Sequence, residues 1–205
     1  MVAAARNAGL LVIADGKRGD VPVSAGAYGQ ALFGSTPTPW GEVRGMGADA
    51  ATINPLLGGD ALEPLIESAA AAASGIFCLV RTSNPGAGDV LDTPAPEAPL
   101  FERLAGLVAE RAERLMGECG LTGMGAVVGG TEPSHLGRLR ELMPSSIFLI
   151  PGVGAQGASA EDLGPALGTR RASILVTASR SIADAPDPGE AAGRLRDQLW
   201  SLGGD

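Results

Sequence analysis

Short apolar runs recur along the chain, and each is about as long as one β-strand. Apolar runs without strict polar alternation are typical of parallel strands that are covered on both faces. Each run is therefore predicted to be a strand. The six runs lie at 10–15 (LLVIAD), 50–55 (AATINP), 76–83 (IFCLVRTS), 125–130 (GAVVGG), 147–153 (IFLIPGV) and 172–179 (ASILVTAS).

Between the predicted strands, the apolar spacing changes to that of helices. In 99–118, leucine and valine keep helical spacing while glutamate and arginine fill the other side. Asp60 is a plausible N-cap for the helix that follows it. The other predicted helices are 24–34, 60–74, 132–142, 160–168 and 188–202.

This β-α alternation predicts a parallel sheet with helical crossovers. Either a doubly wound sheet or a β/α barrel produces such an order. No G-x-G-x-x-G follows the first predicted strand, which argues against the dinucleotide-binding version of the doubly wound sheet.

The chain begins with a segment that looks like the end of a helix. Residues 2–8 are helix-like, and Gly9 is placed as a C′ stop. A TIM barrel has eight βα units, whereas six are visible here. We therefore expect 1–205 to be a single incomplete (β/α)8 TIM barrel domain whose first two units, roughly 60 residues, are missing. The alternative is a frayed leader on a complete six-stranded sheet.

Composition narrows the function classes. Hydrophobic residues make up 45% of the 205 residues and the net charge is −8, without a dense basic cluster, which argues against nucleic acid as a partner. No apolar run approaches the roughly 18 residues of a membrane span, and no signal peptide is visible, so a cytoplasmic protein is expected. The two cysteines fit no metal or disulfide framework.

Candidate chemistry starts at the end of the first predicted strand. Lys17 is the only lysine among 15 basic residues, and it lies between Asp15 and Asp20. Asp15 and Lys17 are two apart and should point to the same face, at the strand end where barrel active sites lie. A lysine held charged by carboxylates can deliver a proton to a carbanion. The alternative is a surface salt bridge of about 0–1 kcal/mol.

Later strand ends predict a phosphorylated ligand. The glycine-rich PGVGAQG (151–157) and the segment TASRS (177–181) follow the last two predicted strands, where barrel enzymes often bind phosphate. Arg180 can grip phosphate in a fork, and Ser179 can add a donor. In RTSNPGAGD (81–89), Ser83 can offer polar groups to a planar ring, although Pro-Gly also marks an ordinary turn.

Together these segments resemble orotidine 5′-phosphate decarboxylase of the longer bacterial type. DGKRGD is similar to the family's D-x-K-x-x-D signature, and TINPLLGGDALEP, LVRTSNPGAGD, VVGGTEP, PGVGAQG and TASRSI resemble its later blocks in the same order. The resemblance covers essentially all of 1–205. It implies decarboxylation of orotidine 5′-phosphate to UMP in de novo pyrimidine biosynthesis, without metal or organic cofactor.

The resemblance also implies roles for single residues. Lys17 would be the proton donor to C6 of the pyrimidine, and Asp15 would lie beside the substrate carboxylate. The family builds its site across a homodimer, so Asp20 and Ser24 would serve the neighbouring subunit. The remaining matches are Ser83 at the pyrimidine edge and Gln156 and Arg180 at the phosphate.

The family network also has a lysine on its second strand and an aspartate on its first. Both belong to the two units expected to be missing. The chain by itself is therefore expected to be poorly active and prone to aggregate.

Two alternatives remain open at this point. One is a magnesium-dependent phosphosugar lyase or synthase of the same suprafamily, which shares D-x-K-x-x-D. The other is an inactive, non-enzymatic fragment.

Overall fold

The computed structural model describes residues 1–152, 161–167 and 170–202, and it contains strands and helices in the alternating order that the sequence predicts. In chain order, the strands and α-helices are α1 (Val2–Asn7), β1 (Ile13–Arg18), α2 (Pro22–Leu32), β2 (Ser35–Thr38), β3 (Gly41–Arg44), β4 (Ala50–Ile53), α3 (Gly59–Ala71), β5 (Gly75–Arg81), α4 (Gly88–Leu91), α5 (Leu100–Ala109), β6 (Thr122–Val128), α6 (Pro133–Leu142), β7 (Ser146–Ile150), β8 (Ile174–Val176), α7 (Arg180–Ala183) and α8 (Pro188–Leu202). Short 3-10 helices cover Pro85–Ala87, Ala112–Leu115, Glu161–Ala166 and Arg171–Ser173.

The six predicted strands are confirmed as one sheet in the order β1-β4-β5-β6-β7-β8. The pairs β1–β4, β4–β5 and β7–β8 run parallel, as crossover helices require. Strands β2 and β3 form a separate antiparallel hairpin. No helix in the described parts of the chain is long and apolar enough to cross a membrane.

The chain divides into two compact units, and the prediction of a single domain stays a prediction. The first unit is Met1–Leu79 with Leu107–Ala126, and the second is Val80–Gly106 with Val127–Asp205. In the first unit, α3 buries Leu62, Leu65, Ile66 and Ala69, which recur at helical spacing on one face.

The second unit contains a buried guanidinium that hydrogen-bonds to backbone carbonyls of several segments. Arg140, on α6, lies with its guanidinium carbon 3.8 Å from the centroid of the Phe148 ring. Burial lowers the pKa of Arg140 to about 10, so the group is charged at neutral pH. Its nitrogens donate hydrogen bonds to the backbone carbonyls of Met143, Pro144, Ser146, Ala166 and Ser173.

Several predicted boundaries were wrong. The first strand lies at Ile13–Arg18 rather than 10–15, because its pairing with β4 begins at Ile13. Gly58 rather than Asp60 precedes the first turn of α3. The helix predicted at 99–118 ends at Ala109, and 160–168 contains a 3-10 helix instead of an α-helix.

The β2–β3 hairpin was not predicted at all. Two prolines, Pro37 and Pro39, lie in or beside it, and proline is uncommon in strands that pair on both sides. By contrast, the helical end at the N-terminus was predicted correctly: α1 ends at Asn7, and Gly9 follows with φ +77°.

Candidate active site

Asp15 and Lys17 meet at the end of β1, as their spacing predicts. Lys17 Nζ lies 2.5 Å from Asp15 Oδ1. The Lys17 side chain is 49% exposed and that of Asp15 63%, so the pair is open to a ligand. The hydrogen bond from Lys17 lowers the pKa of Asp15, burial opposes this, and a hydrogen bond from Thr52 lowers the pKa further. Asp15 is therefore a carboxylate near neutral pH.

A register shift in β1 shapes this pair. Ala14 is opposite Ala51 on β4, yet Arg18 is opposite Ile53, so β1 has two more residues than β4 between the same two pairings. Such bulges redirect side chains and are common beside active sites. Lys17 lies within the bulge with φ +49°, a left-handed conformation that costs a residue with a Cβ about 1–2 kcal/mol.

Thr52 contacts both residues of the pair. Its side chain lies on β4 and is buried, and its hydroxyl donates to Asp15 Oδ1 at 2.8 Å. The Thr52 hydroxyl oxygen also accepts a hydrogen bond from the backbone N–H of Lys17 at 3.0 Å. Sequence reasoning missed Thr52. The available signal was a lone hydroxyl residue in the middle of an otherwise apolar strand, AATI.

Asp20 and Ser24 lie beyond the strand, in the same unit. Asp20 is in the loop after β1, and its carboxylate accepts a hydrogen bond from the backbone N–H of Val21 at 2.8 Å. Ser24 is half-buried on α2. Lys17 forms its ion pair with Asp15. Among the described residues, no ion pair joins Lys17 to Asp20.

Ser83 belongs to the second unit, in the loop that follows β5. It is half-buried, and Gly129 packs against its backbone so closely that a Cβ on Gly129 would lie 2.7 Å from Ser83 Cα. Arg81 holds this loop: Nε and Nη2 donate to the two carboxylate oxygens of Asp92, and Nη1 donates to the carbonyl of Thr82. Sequence reasoning missed this ion pair, because the pairing partner of Arg81 depends on the fold of the loop.

Ser179 and Arg180, two of the predicted phosphate residues, are also in the second unit. Ser179 precedes α7, and its carbonyl accepts hydrogen bonds from Ile182 and Ala183. Arg180 opens α7, four residues after β8 ends, and its side chain is exposed. Gln156 lies outside the described residues.

The described ranges contain no group of three or more histidine, cysteine, aspartate or glutamate side chains arranged to hold a metal ion. The candidate site in the first unit is thus an ammonium, a carboxylate and a hydroxyl. Such a set can supply a fixed positive charge and a transferable proton.

Residues 1–195 match the model of the orotidine 5′-phosphate decarboxylase / HUMPS family. The chain belongs to this family. The match agrees with the resemblance drawn from DGKRGD and the later segments, and it includes every predicted site residue.

Relatives in the family are similar along most of this chain. The chain is 43% identical over 185 residues to orotidine 5′-phosphate decarboxylase of Rhodopirellula baltica, covering 89% of this chain and 59% of that protein. It is 40% identical over 203 residues to that of Deinococcus radiodurans, covering 96% and 70%. The chain thus spans less than two thirds of the length of the first of these relatives.

The fold prediction is confirmed by a solved structure. The structure of Leishmania donovani OMP decarboxylase is similar with a TM-score of 0.74 and 30% identity, covering 95% of this chain and 69% of that one. This likeness, with the parallel strand order, places the six βα units in the β/α-barrel fold of the orotidine 5′-phosphate decarboxylase family.

Proposed function

We propose that the protein decarboxylates orotidine 5′-phosphate to UMP in de novo pyrimidine biosynthesis, with Lys17 as the proton donor. The observation that carries the proposal is the contact between the Lys17 ammonium and the Asp15 carboxylate at the end of β1. Relatives about 40% identical to this chain are named orotidine 5′-phosphate decarboxylase, which supports the same reaction here.

The proposed step consumes one proton, which the Lys17 ammonium supplies and then regains from water. When the bond between C6 and the carboxyl carbon breaks, carbon dioxide leaves and the electron pair stays on C6. A fixed cation beside C6 stabilises this negative charge as it develops. Lys17 Nζ then transfers a proton to C6, which completes UMP. An arginine cannot replace Lys17 as the donor, because a guanidinium is too weak an acid.

Other residues have proposed binding roles. Asp15 lies beside the substrate carboxylate, and Ser83 contacts the pyrimidine edge. Gln156, Ser179 and Arg180 hold the phosphate, far from the reacting carbon. Binding energy from the phosphate can contribute to holding the reacting end in the charged site. The proposed chemistry requires neither a metal nor an organic cofactor.

We further propose a homodimer in which Asp20 and Ser24 act in the partner's site. Exposed apolar side chains follow Asp20 in the chain and also follow β4: Val23 is 88% exposed, and Val21, Leu56 and Leu57 are also exposed. The segments that follow β1 and β4 and carry these side chains are joined where they begin, since the Asn54 N–H donates to the Arg18 carbonyl at 2.8 Å. Val23→Glu should dissociate the dimer in light scattering, whereas Val90→Glu, at another exposed valine, should not.

Decarboxylation is tested by release of labelled carbon dioxide from carboxyl-labelled orotidine 5′-phosphate. We expect slow release, since Lys17 is the only lysine in the chain and the family resemblance implies two in the charge network. Lys17→Ala should abolish it, and Arg18→Ala, which removes the neighbouring cation, should not. Calorimetric binding of UMP provides a second measurement that does not depend on turnover.

The other outcomes separate the alternative functions. The family description includes HUMPS, and a magnesium-dependent phosphosugar enzyme of this suprafamily would lose its activity in EDTA. Carbon dioxide release that is unaffected by EDTA supports the decarboxylase. If the chain neither releases carbon dioxide nor binds UMP, the proposal is rejected and a non-enzymatic role is favoured.

A cytoplasmic location is also part of the proposal, because it fits an enzyme of nucleotide synthesis. Cell fractionation tests it.

A further inference from the structure

Thr52 makes two hydrogen bonds that both end in the candidate active site. The residue is 1% exposed, so its hydroxyl needs partners within the protein. A hydroxyl carries one donor and two acceptor positions. The donor goes to Asp15 Oδ1 at 2.8 Å, and an acceptor position takes the Lys17 backbone N–H at 3.0 Å.

These bonds close a ring with the ion pair. Asp15 Oδ1, which accepts from Thr52, is also the oxygen that Lys17 Nζ contacts. One hydroxyl therefore fixes the backbone of Lys17 and the carboxylate that its ammonium touches. Thr52 thus holds the Lys17 backbone directly and the Lys17 ammonium through Asp15.

The bulge explains why a side chain is needed at this point. In a regular parallel ladder, strand N–H groups donate to carbonyls of the neighbouring strand. The register between β1 and β4 shifts between Ala14 and Arg18, and Lys17 lies within this shift in a left-handed conformation. The hydroxyl of Thr52 takes the place of a ladder carbonyl for the Lys17 N–H.

Thr122 shows what a buried threonine does away from the site. It is also buried in a strand of the first unit, on β6. Its hydroxyl donates to the carbonyl of Ala112 at 2.6 Å and accepts from the Met124 N–H at 3.0 Å. The Thr122 hydroxyl, like that of Thr52, donates one of these bonds and accepts the other, but it donates to a backbone carbonyl rather than to a site carboxylate.

We infer that Thr52 is a positioning residue for the proton donor: its hydroxyl holds the Asp15 carboxylate and the Lys17 backbone in the arrangement the reaction uses. The inference rests on the proposed decarboxylase function. Without the hydroxyl, the carboxylate loses a donor and the left-handed Lys17 loses the partner of its N–H. The ammonium is then free to leave the position beside C6.

The experiment compares Thr52→Val, Thr52→Ser and the control Thr122→Val in the full chain. Valine has nearly the volume of threonine but no hydroxyl, and serine keeps the oxygen. The first measurement is the Asp15 pKa, from carbon-13 NMR titration of its carboxyl group, assigned with Asp15→Asn. We expect Thr52→Val to raise this pKa toward the ordinary value, because the carboxylate loses a donor. Thr52→Ser and Thr122→Val should leave the Asp15 pKa at its wild-type value.

The second measurement is Lys17-dependent release of carbon dioxide. Thr52→Val should lower kcat by roughly tenfold or more with a smaller change in KM, since the phosphate contacts are untouched. Thr52→Ser should recover most of the rate, and Thr122→Val should lose stability without this loss of kcat. If Thr52→Val does not fold, Thr52→Cys, with its weak S–H donor, replaces it in both measurements.

The outcomes separate this inference from the proposed function. If Lys17-dependent turnover is observed and Thr52→Val changes neither the Asp15 pKa nor kcat, the positioning role is overturned and the decarboxylase stands. If the unchanged chain neither turns over substrate nor binds UMP, the decarboxylase falls. In that case the positioning of a proton donor falls with it, and a raised Asp15 pKa in Thr52→Val would show only that the Thr52 hydroxyl holds the carboxylate.

Discussion

The guanidinium of Arg81 holds the carboxylate of Asp92 in a fork, with Nε 2.7 Å from Oδ1 and Nη2 2.9 Å from Oδ2. The Arg81 side chain is 11% exposed and that of Asp92 37%. Arg81 ends β5 and Asp92 follows α4, so the fork closes the loop that carries Ser83. Two-pronged bonds of this kind are among the stronger ones that arginine makes.

Asp92→Asn should reduce stability in a pH-dependent way. The hydrogen bond from Arg81 lowers the pKa of Asp92 below its ordinary 3.8, burial opposes this, and the charges of Arg81 and His135 add to the lowering. Because the folded pKa is the lower one, the stabilisation is present above pH 3.8 and is lost as pH falls through the folded pKa.

At pH 7, the free energy of unfolding of Asp92→Asn should be lower by about 1–2 kcal/mol, as measured by urea denaturation. The difference from the unchanged chain should shrink below about pH 4. Asp89→Asn is the control, since it changes an exposed carboxylate of the same loop outside the fork. An equal loss in both variants at every pH would show that the fork does not stabilise the loop.

Arg140→Met should be among the most destabilising single changes in the second unit. The guanidinium is buried, and its loss removes the hydrogen bonds that it donates to the backbone carbonyls of Ser146, Ala166 and Ser173. We expect a loss of about 3 kcal/mol or more, and Arg140→Lys should recover only part of it, because an ammonium has fewer donors.

The control for Arg140 lies two residues earlier on the same helix. Arg138 is 47% exposed and pairs with Glu102, so Arg138→Met should change stability far less than Arg140→Met. Thermal and urea unfolding measure both variants. Similar losses at the two positions would contradict the special role of the buried guanidinium.

Gly129→Ala should displace Ser83. The added Cβ would lie 2.7–2.9 Å from Ser83 Cα, N and Cβ, distances at which the backbone must move. We expect a loss of about 1–3 kcal/mol in stability and weaker UMP binding by calorimetry. Gly106→Ala, in α5 with no atom near the added Cβ, should instead gain about 0.5–1 kcal/mol. Unchanged UMP affinity in a folded Gly129→Ala would argue against Ser83 as a ligand residue.

Lys17 is strained, and the strain should be measurable. Lys17→Gly and Lys17→Ala both remove the ammonium, but only alanine keeps a Cβ in the left-handed conformation. Lys17→Gly should therefore be more stable than Lys17→Ala by about 1 kcal/mol in urea unfolding. At Arg18, which does not have a positive φ, the glycine variant should instead be less stable than the alanine variant by about 0.5–1 kcal/mol. The same order at both positions would mean that Lys17 is not strained in solution.

Local patterns predicted the elements that depend on local physics. The predicted helix 188–202 coincides with α8, and 132–142 differs from α6 by one residue. In both, proline marks the first turn, where its fixed φ is favourable, and apolar spacing continues from there. The helix predicted at 99–118 ended early for a non-local reason: after Ala109 the chain turns, and the Ala112 carbonyl accepts from Thr122 on β6.

The sequence by itself determined the β/α order, and with it the parallel sheet, because strand and helix periods are properties of neighbouring residues. From the rule that residues two apart on a strand point the same way, the sequence also predicted that the Asp15 and Lys17 side chains lie together, and their contact confirms this. Only the tertiary structure decided how Lys17 is held. The register shift between β1 and β4, the left-handed backbone at Lys17 and the hydroxyl of Thr52 all depend on two strands 35 residues apart in the chain meeting side by side. The spacing of residues within either strand does not predict that contact between the two strands.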